Sequence, residues 1–510
     1  MHNQFKLLPL SFTFLVFIFM VFKLWMRSKT KGSPKNLPPA PWKLPLIGHL
    51  HHLLFCLPYR RLAELAERHG PVMHLQLGEL SHVVVSSPEV AKEVMKTHDI
   101  NFANRPFLLV AEIIWYNLSD IAFAPYGASW RQLRKICTLE LLSMKRVQSF
   151  RSIREEQVSS FIRSIFSMTG SEINIGEMLC KLSYNITLST AFGGRCKQHE
   201  TFISIVRKVL KALHGFTISD LFPSIKLLPV ITGMRSKVKR LHHDLDTMLE
   251  SIIEEHRASK TNPKNGDDVT DDLVDVLLNF QDHGDREFPL TTDSIKAVLL
   301  DILIAGTETS STTAEWAMSE MMKNPRILEK AQAEVRRVCD RTGDVNESDL
   351  HEFKYLKLVI KETLRLHTPV PLLLPRENME RCEINGYEIP AKTKVIVNAW
   401  AIGRDSNYWN EPERFDPERF TDSSVDYRGT NFEFIPFGAG RRMCPGISYS
   451  MVVVELLLAK LLYHFDWKLP GGMRIEDLDM TEVLGVHVRR KRDLCLVPIP
   501  YNGQGPACVQ

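Results

Sequence analysis

The sequence predicts a mainly α protein, one large helical domain with small β-sheets, carried behind an N-terminal transmembrane helix. Three observations predict it. Apolar residues recur at helical spacing through most of the 510 residues. Strand-like runs are few and short. No second linker and no internal repeat follows residue 45, so a length that on average makes about three domains is read here as one core. With 44% hydrophobic and 24% charged residues the chain can fill such a core.

The elements follow in chain order. Leu7 to Phe22 carries no charge, resumes after Lys23 as Leu24-Trp25-Met26, and is followed by Arg27, Lys29 and Lys31. About twenty apolar residues suffice to cross a bilayer as a helix. No small-x-small cleavage site follows, which argues against a removed signal peptide. The basic flank predicts a body on the cytoplasmic side. Residues 1–30 are therefore expected to be a membrane anchor. Residues 31–45 hold five prolines from Pro34 to Pro45 and are expected to be a stiff hinge. Residues 46–510 are the folded body.

Within that body, helical spacing marks Leu62–His69, Pro88–Thr97, Trp130–Leu142, Ile203–Leu213, Val238–His256, Pro325–Cys339 and Ile447–Tyr463. Strands are expected at Val72–Leu77, His82–Val85 and Lys394–Asn398. The polar stretch Arg257–Asp272 reads as an exposed loop. The longest helix should run from Thr292 to Lys323, capped by Thr291 or Thr292 and stopped by Pro325. It is apolar nearly all round from Ala297 to Ala305, so it should be buried. Gly306 to Ser311 then interrupt it with glycine and polar side chains that are expected to loosen the backbone ladder.

Charge and cysteine usage exclude several classes. A net charge of +4 without a basic stripe excludes a nucleic-acid binder. The nine cysteines are scattered, odd in number and never spaced C-x-x-C, which excludes a zinc ribbon and a disulfide framework and implies a reducing compartment.

One cysteine stands in a different context. Pro436-Phe-Gly-Ala-Gly-Arg-Arg-Met-Cys-Pro-Gly446 is a glycine-rich turn feeding a helix. It sets Cys444 at a helix N-terminus, where backbone N–H groups favour the thiolate. A thiolate on haem iron pushes electron density toward O–O cleavage. Gly438 and Gly440 let the backbone pass close to a flat group, and Arg442 is placed to meet a haem propionate.

This segment resembles the haem-binding signature of the cytochrome P450 family, F-x-x-G-x-R-x-C-x-G, with Phe437 at its start. Three further segments agree in order and spacing. Lys361-Glu362-Thr-Leu-Arg365 resembles the E-x-x-R helix, Phe415-Asp-Pro-Glu-Arg-Phe420 the F-x-P-E-R-F segment, and Ala305-Gly-Thr-Glu-Thr309 the oxygen-activation motif. With the anchor, the hinge and Trp130-Arg131-x-x-Arg134, the whole chain resembles the plant microsomal A-type members. The group most alike acts on terpenoids and terpenoid-derived alkaloids.

The resemblance implies roles for individual residues. Cys444 is the metal ligand of haem b. Arg442, Phe437, Trp130, Arg134, Arg376 and Arg105 are cofactor-binding. Glu362 and Arg365, three apart on one helix face, form a buried structural triad with Arg419. Pro412-Glu-Arg-Phe415 is a second copy of the arginine motif, and Arg419 is preferred because Phe415 supplies the upstream aromatic. Ala305 and Thr309 share a helix face. Thr309 holds water or oxygen by hydrogen bond, and Glu308 is the proton source or relay entry. Ile113, Ile302, Ala305, Val370, Leu374 and Val486 are the expected substrate-pocket walls.

The implied reaction inserts one oxygen of O₂ into a C–H bond. No G-x-G-x-x-G follows a strand and no flavin domain is present in the sequence, so two electrons must arrive from outside, and the resemblance implies NADPH and a separate membrane-bound NADPH–haemoprotein reductase as their source. Arg131, Lys135 and Arg441 neighbour the haem motifs and are expected on its docking face. The implied location is the endoplasmic reticulum membrane, single-pass, with a cytosolic body acting on an apolar small molecule. A haem-thiolate isomerase that uses no O₂ is the rival within the fold, against which the intact Ala-Gly-x-Glu-Thr speaks. A haem sensor or carrier is the rival from another class, and it would not need the acid–hydroxyl pair.

Overall fold

The computed structural model describes residues 36–193, 199–213, 217–261, 271–283, 289–483, 485 and 487–501. The anchor expected at 1–30 and the pocket residue Val486 lie outside them. Residues 36–45, expected as a spacer, are tied to the body. Pro39 O accepts His74 N at 2.8 Å, Asn36 O accepts Glu388 N at 2.8 Å, and Leu44 bridges Gly48.

Four helices position the site: α1 (Ala128–Ile136), α2 (Ile175–Phe192), α3 (Thr292–Lys323) and α4 (Ile447–His464). The central α3 has the bounds the sequence predicts. Thr291 accepts Ser294 N at 3.1 Å as its cap, and the chain leaves the helix at Asn324, before Pro325. The expected loosening at Gly306–Ser311 does not occur. The hydroxyls of Thr307, Thr309, Ser311 and Thr313 donate back to carbonyls one turn earlier, at 2.6–3.1 Å, and the helix runs through.

Packed along α3 is α2, which periodicity does not reveal. It is buried on nearly every side, so its apolar residues form no stripe. On another side lies α4, long and apolar enough to cross a membrane by composition but buried inside the body. The expected Trp130–Leu142 helix is α1 followed by a π-turn at Cys137–Leu141. Of the expected Arg257–Asp272 loop, residues 257–261 are helical, because the helix Met234–Thr261 continues past His256, and residues 262–270 lie outside the described residues.

A four-stranded sheet flanks the helices: β1 (Val72–Leu77), β2 (Leu80–Val85), β3 (Arg376–Glu377) and β4 (Lys394–Val397), in the order β1-β2-β4-β3. β2 and β4 run parallel, with Val84 opposite Ile396, while Arg376 of β3 pairs antiparallel with Val395. The sheet thus delivers Arg376, buried, to the edge of the central cavity.

Candidate active site

One cavity lies between α3, the 436–446 turn, the start of α4 and the segments 115–123 and 369–376. Cys444 sits on its floor, with its backbone N–H donated to Phe437 O at 3.0 Å. Gly440 is required in the turn: at φ +68°, a Cβ there would fall 2.1 Å from Met95 O. α4 begins at Ile447, three residues past the cysteine. Burial pushes the Cys444 thiol up, and the Gly446 N–H and Arg134 only partly pull it back. The Gly446 N–H at the helix start thus acts in the direction the sequence predicts, and a metal ion at the sulfur would add to it.

Four guanidinium groups line the same cavity: Arg105, Arg134, Arg376 and Arg442. Backbone carbonyls orient them. Arg442 donates to Ala103 O at 2.7 Å and Ala124 O at 2.5 Å, and Arg134 to Met443 O at 2.5 Å. Arg105 donates to Ala122 O at 2.9 Å and to Leu374 O and Pro375 O at 2.8 Å. Arg376 donates to Ala439 O at 2.8 Å. Burial pushes all four downward, Arg376 to about 10 and Arg442 to about 9, the latter also through the Arg376 charge. Asp99 lies 3.5 Å from Arg376 and the Asp120 charge reaches Arg105 and Arg442, which sets two carboxyl groups against four cations. A ligand carrying two carboxylates supplies what is missing, and haem carries two propionates. Trp130 corrects one expectation. Its indole N–H donates to Ile121 O at 3.0 Å, and its ring lies under Arg442 at 4.1 Å, so it supports that arginine instead of facing the cavity.

Behind the turn, Glu362 is fully buried. Arg365 grips it with two bonds at 2.7 and 2.8 Å, and Arg419 adds a third at 3.0 Å. Asp416 N donates a fourth at 2.9 Å. Arg414, the alternative, pairs with Glu411 on the surface and offers only its carbonyl to Arg365.

Above Cys444, α3 presents Asp301, Ala305 and Thr309 to the cavity. Thr309 Oγ1 donates to Ala305 O at 2.6 Å, which leaves its lone pairs free to accept from water. The Glu308 carboxyl receives Tyr184 Oη–H at 2.8 Å, with His487 Nε2 at 3.2 Å and Arg489 Nη1 at 3.9 Å. Burial pushes Glu308 up, but His487, Arg489 and Tyr184 outweigh it and bring it down to about 2. Its surroundings thus favour the carboxylate. Asp301 Oδ2 accepts Ile121 N at 2.8 Å and Ala122 N at 3.2 Å; burial and the Asp120 charge push it well up. Ile302, Ala305, Val370 and Leu374 are walls as expected. Ile113 is not, because its helix turns Trp115 to the cavity and packs Ile113 against the core. Sequence reasoning missed Tyr184, His487 and Asp301. None stands in a motif, and each is brought to the site from a remote segment or hidden in an apolar run.

The family model described as "Cytochrome P450" matches residues 38–496. The chain belongs to the cytochrome P450 family. It is 53% identical over 500 residues to premnaspirodiene oxygenase of Hyoscyamus muticus, covering 98% of this chain and 99% of that one. It is 53% identical over 496 residues to tabersonine 6,7-epoxidase isoform 1 of Catharanthus roseus, covering 96% and 97%. A solved zebrafish cytochrome P450 with progesterone superposes with a TM-score of 0.75 at 25% identity, over 88% of this chain and all of that one. The protein is thus a P450 monooxygenase, an oxidoreductase of the mainly helical P450 fold. The family implies a haem-thiolate cofactor, a reductase partner and a small-molecule substrate. The Cys444 thiol facing the cavity and the arginine cluster, four cations against two carboxyl groups, fit that cofactor.

Proposed function

We propose that this P450 is an NADPH-dependent monooxygenase that hydroxylates or epoxidises a bulky apolar plant secondary metabolite, a terpenoid before all others. The observation that carries the reading is the cavity wall. It is mostly aliphatic or aromatic, and beyond the arginines its polar side chains include Thr309, Glu308, Asp301 and His487, with Thr313, Tyr449 and Ser450 also in the lining. Such a wall selects by shape and excludes water. The first relative's name, a premnaspirodiene oxygenase, supports the same class.

When bound, the haem supplies O₂ activation, and the chain's residues do the rest. Cys444 would ligate its iron. Arg105, Arg134, Arg376 and Arg442 would hold the propionates, and Phe437 would border the ring. Glu362, Arg365 and Arg419 fix the segment behind the cysteine turn. Thr309 holds a water by accepting its hydrogen bond, and Glu308 passes protons to it. Ile302, Ala305, Val370 and Leu374 place the substrate carbon over the floor.

A second reading has its own observation. Asp301 is an acid in the apolar wall and would pair with a basic nitrogen, so a terpenoid-derived alkaloid is the alternative, as the tabersonine epoxidase suggests.

A cytosolic body on the endoplasmic reticulum membrane is supported by the chain's exposed apolar groups. Leu54, Phe55, Leu227, Val230 and Ile231 are all more than half exposed. The two segments that carry them are neighbours, since Leu221 and Phe222 pack with Leu50 and Leu53. Such a patch suits a lipid surface. Arg131, Lys135 and Arg441 are exposed on the cysteine side, placed for an acidic reductase face. The test is expression in microsomes with a plant NADPH–haemoprotein reductase under ¹⁸O₂, with premnaspirodiene and tabersonine as probes. A one-oxygen mass gain carrying the label on premnaspirodiene supports the first reading, and on tabersonine alone the second. No labelled product from either or from a wider terpenoid panel would overturn both.

A further inference from the structure

Glu308 is needed as the site's acid, yet its surroundings hold it ionised. Something beside it must therefore carry the proton. Tyr184, on α2, cannot: burial and the Glu308 charge push its phenol above the ordinary range. Arg489 stays protonated at any working pH. Cys180, on the same helix as Tyr184, is a buried thiol pushed up in turn, first by burial and then by Glu308. Arg207, on the helix His199–Ala212, is engaged with the Cys180 sulfur at 3.4 Å. These groups face Glu308 and none releases a proton near neutrality.

His487 differs. It is 4% exposed, lines the cavity, and brings Nε2 to 3.2 Å from Glu308 Oε2, within ion-pair range. Its neighbour Val488 pins it there, donating N–H to Pro369 O at 2.8 Å and accepting Trp316 Nε1–H at 3.0 Å. Histidine is the side chain whose charge changes at working pH.

We propose that His487 is a positioning residue that reloads Glu308 with a proton during turnover. The Nε2–H bond breaks and an O–H bond forms on Glu308 Oε2. Glu308 then gives that proton to the water at Thr309. The imidazole regains a proton from solvent water at the rim, where the Arg489 side chain is 44% exposed. No electrons change hands.

The proposal rests on Glu308 being the acid of the site, and the test separates the two. The reconstituted enzyme is run with NADPH, reductase and premnaspirodiene, and peroxide released per NADPH is followed from pH 6 to pH 8 (on the order of one unit either side of neutral). His487→Gln and His487→Asn are expected to raise that ratio several-fold and to flatten its pH dependence, with haem content unchanged. Glu308→Gln is expected to raise it as well. A second readout needs no turnover. In the ferrous–CO holoenzyme labelled with ¹⁵N-histidine, the His487 side-chain resonance at a fixed pH should move in Glu308→Gln, because the imidazole loses the carboxylate beside it. If Glu308→Gln raises peroxide and the His487 variants do not, the proposal is overturned and Glu308 stands. If Glu308→Gln leaves the ratio unchanged, the acid assignment falls and the proposal with it. An unmoved His487 resonance in Glu308→Gln also overturns the proposal.

Discussion

Glu362 and Glu308 are both buried glutamates held by cationic side chains, and they have opposite surroundings. Glu362 takes two bonds from Arg365, one from Arg419 and one from the Asp416 amide, all between 2.7 and 3.0 Å, and touches no cavity. Glu308 takes one close bond, from Tyr184, while His487 and Arg489 stand at 3.2 and 3.9 Å and the carboxyl borders the cavity. A carboxylate with every lone pair satisfied by permanent cations has nothing left to exchange, and it fixes geometry. A carboxylate with a titratable neighbour and an open side has protons to move. A third acid, Glu455 on α4, has only Lys357 at 3.9 Å, and burial pushes it up to about 7. It lacks both the scaffold's partners and the cavity.

The largest effect should come from the scaffold. Glu362→Ala strands two buried guanidiniums, and removing one partner of such a pair typically costs about 3–5 kcal/mol. Haem per polypeptide, measured after purification, should collapse in Glu362→Ala and stay at the wild-type level in Glu308→Gln. The reverse pattern would break the comparison.

Next comes the helix face opposite Cys444. Thr309→Ala keeps the arginines and the cysteine turn, so haem content and substrate binding should survive. Loss of one positioned proton-transfer group costs about 10²–10⁴-fold, softened where water takes its place. The product-to-NADPH ratio should fall sharply and peroxide release rise. An unchanged ratio would leave Thr309 as helix packing, in line with its bond to Ala305 O.

The smallest effect sharpens the third case. Folding raises Glu455 from an ordinary 4.5 to about 7, so the folded state favours the protonated form. That contribution is complete below about pH 4.5 and is lost as pH rises through about 7. Glu455→Gln should therefore stabilise the protein at pH 8 by about 1–3 kcal/mol and change little at pH 4. Thermal melts at the two values read this directly, and equal shifts at both would show that the carboxyl is not held as its burial implies.

How much of this was legible in the sequence follows from range. α3 was readable to the residue because its signals are local, a hydroxyl cap at Thr291 and a proline at 325. The Glu362–Arg365 pair was readable because three residues on a helix share a face, and the choice of Arg419 followed from Phe415. α2 was not, since a helix buried all round has no polar side to give it a period. Tyr184 and His487 were invisible for the same reason: only the packing of α2 and of the 487–489 segment against α3 brings them to Glu308. Trp130 and Ile113 were misplaced because a motif or a segment tells which residues are near a site and not which way each side chain turns.

Central to the proposed function is that the Cys444 sulfur would ligate the haem iron. It is tested most directly by the ferrous–CO absorption spectrum of the reduced holoenzyme beside that of Cys444→Ser. The wild type should show the red-shifted Soret band of a thiolate ligand, and the serine variant should lose that band together with turnover. A Cys444→Ser protein that kept both would contradict the account.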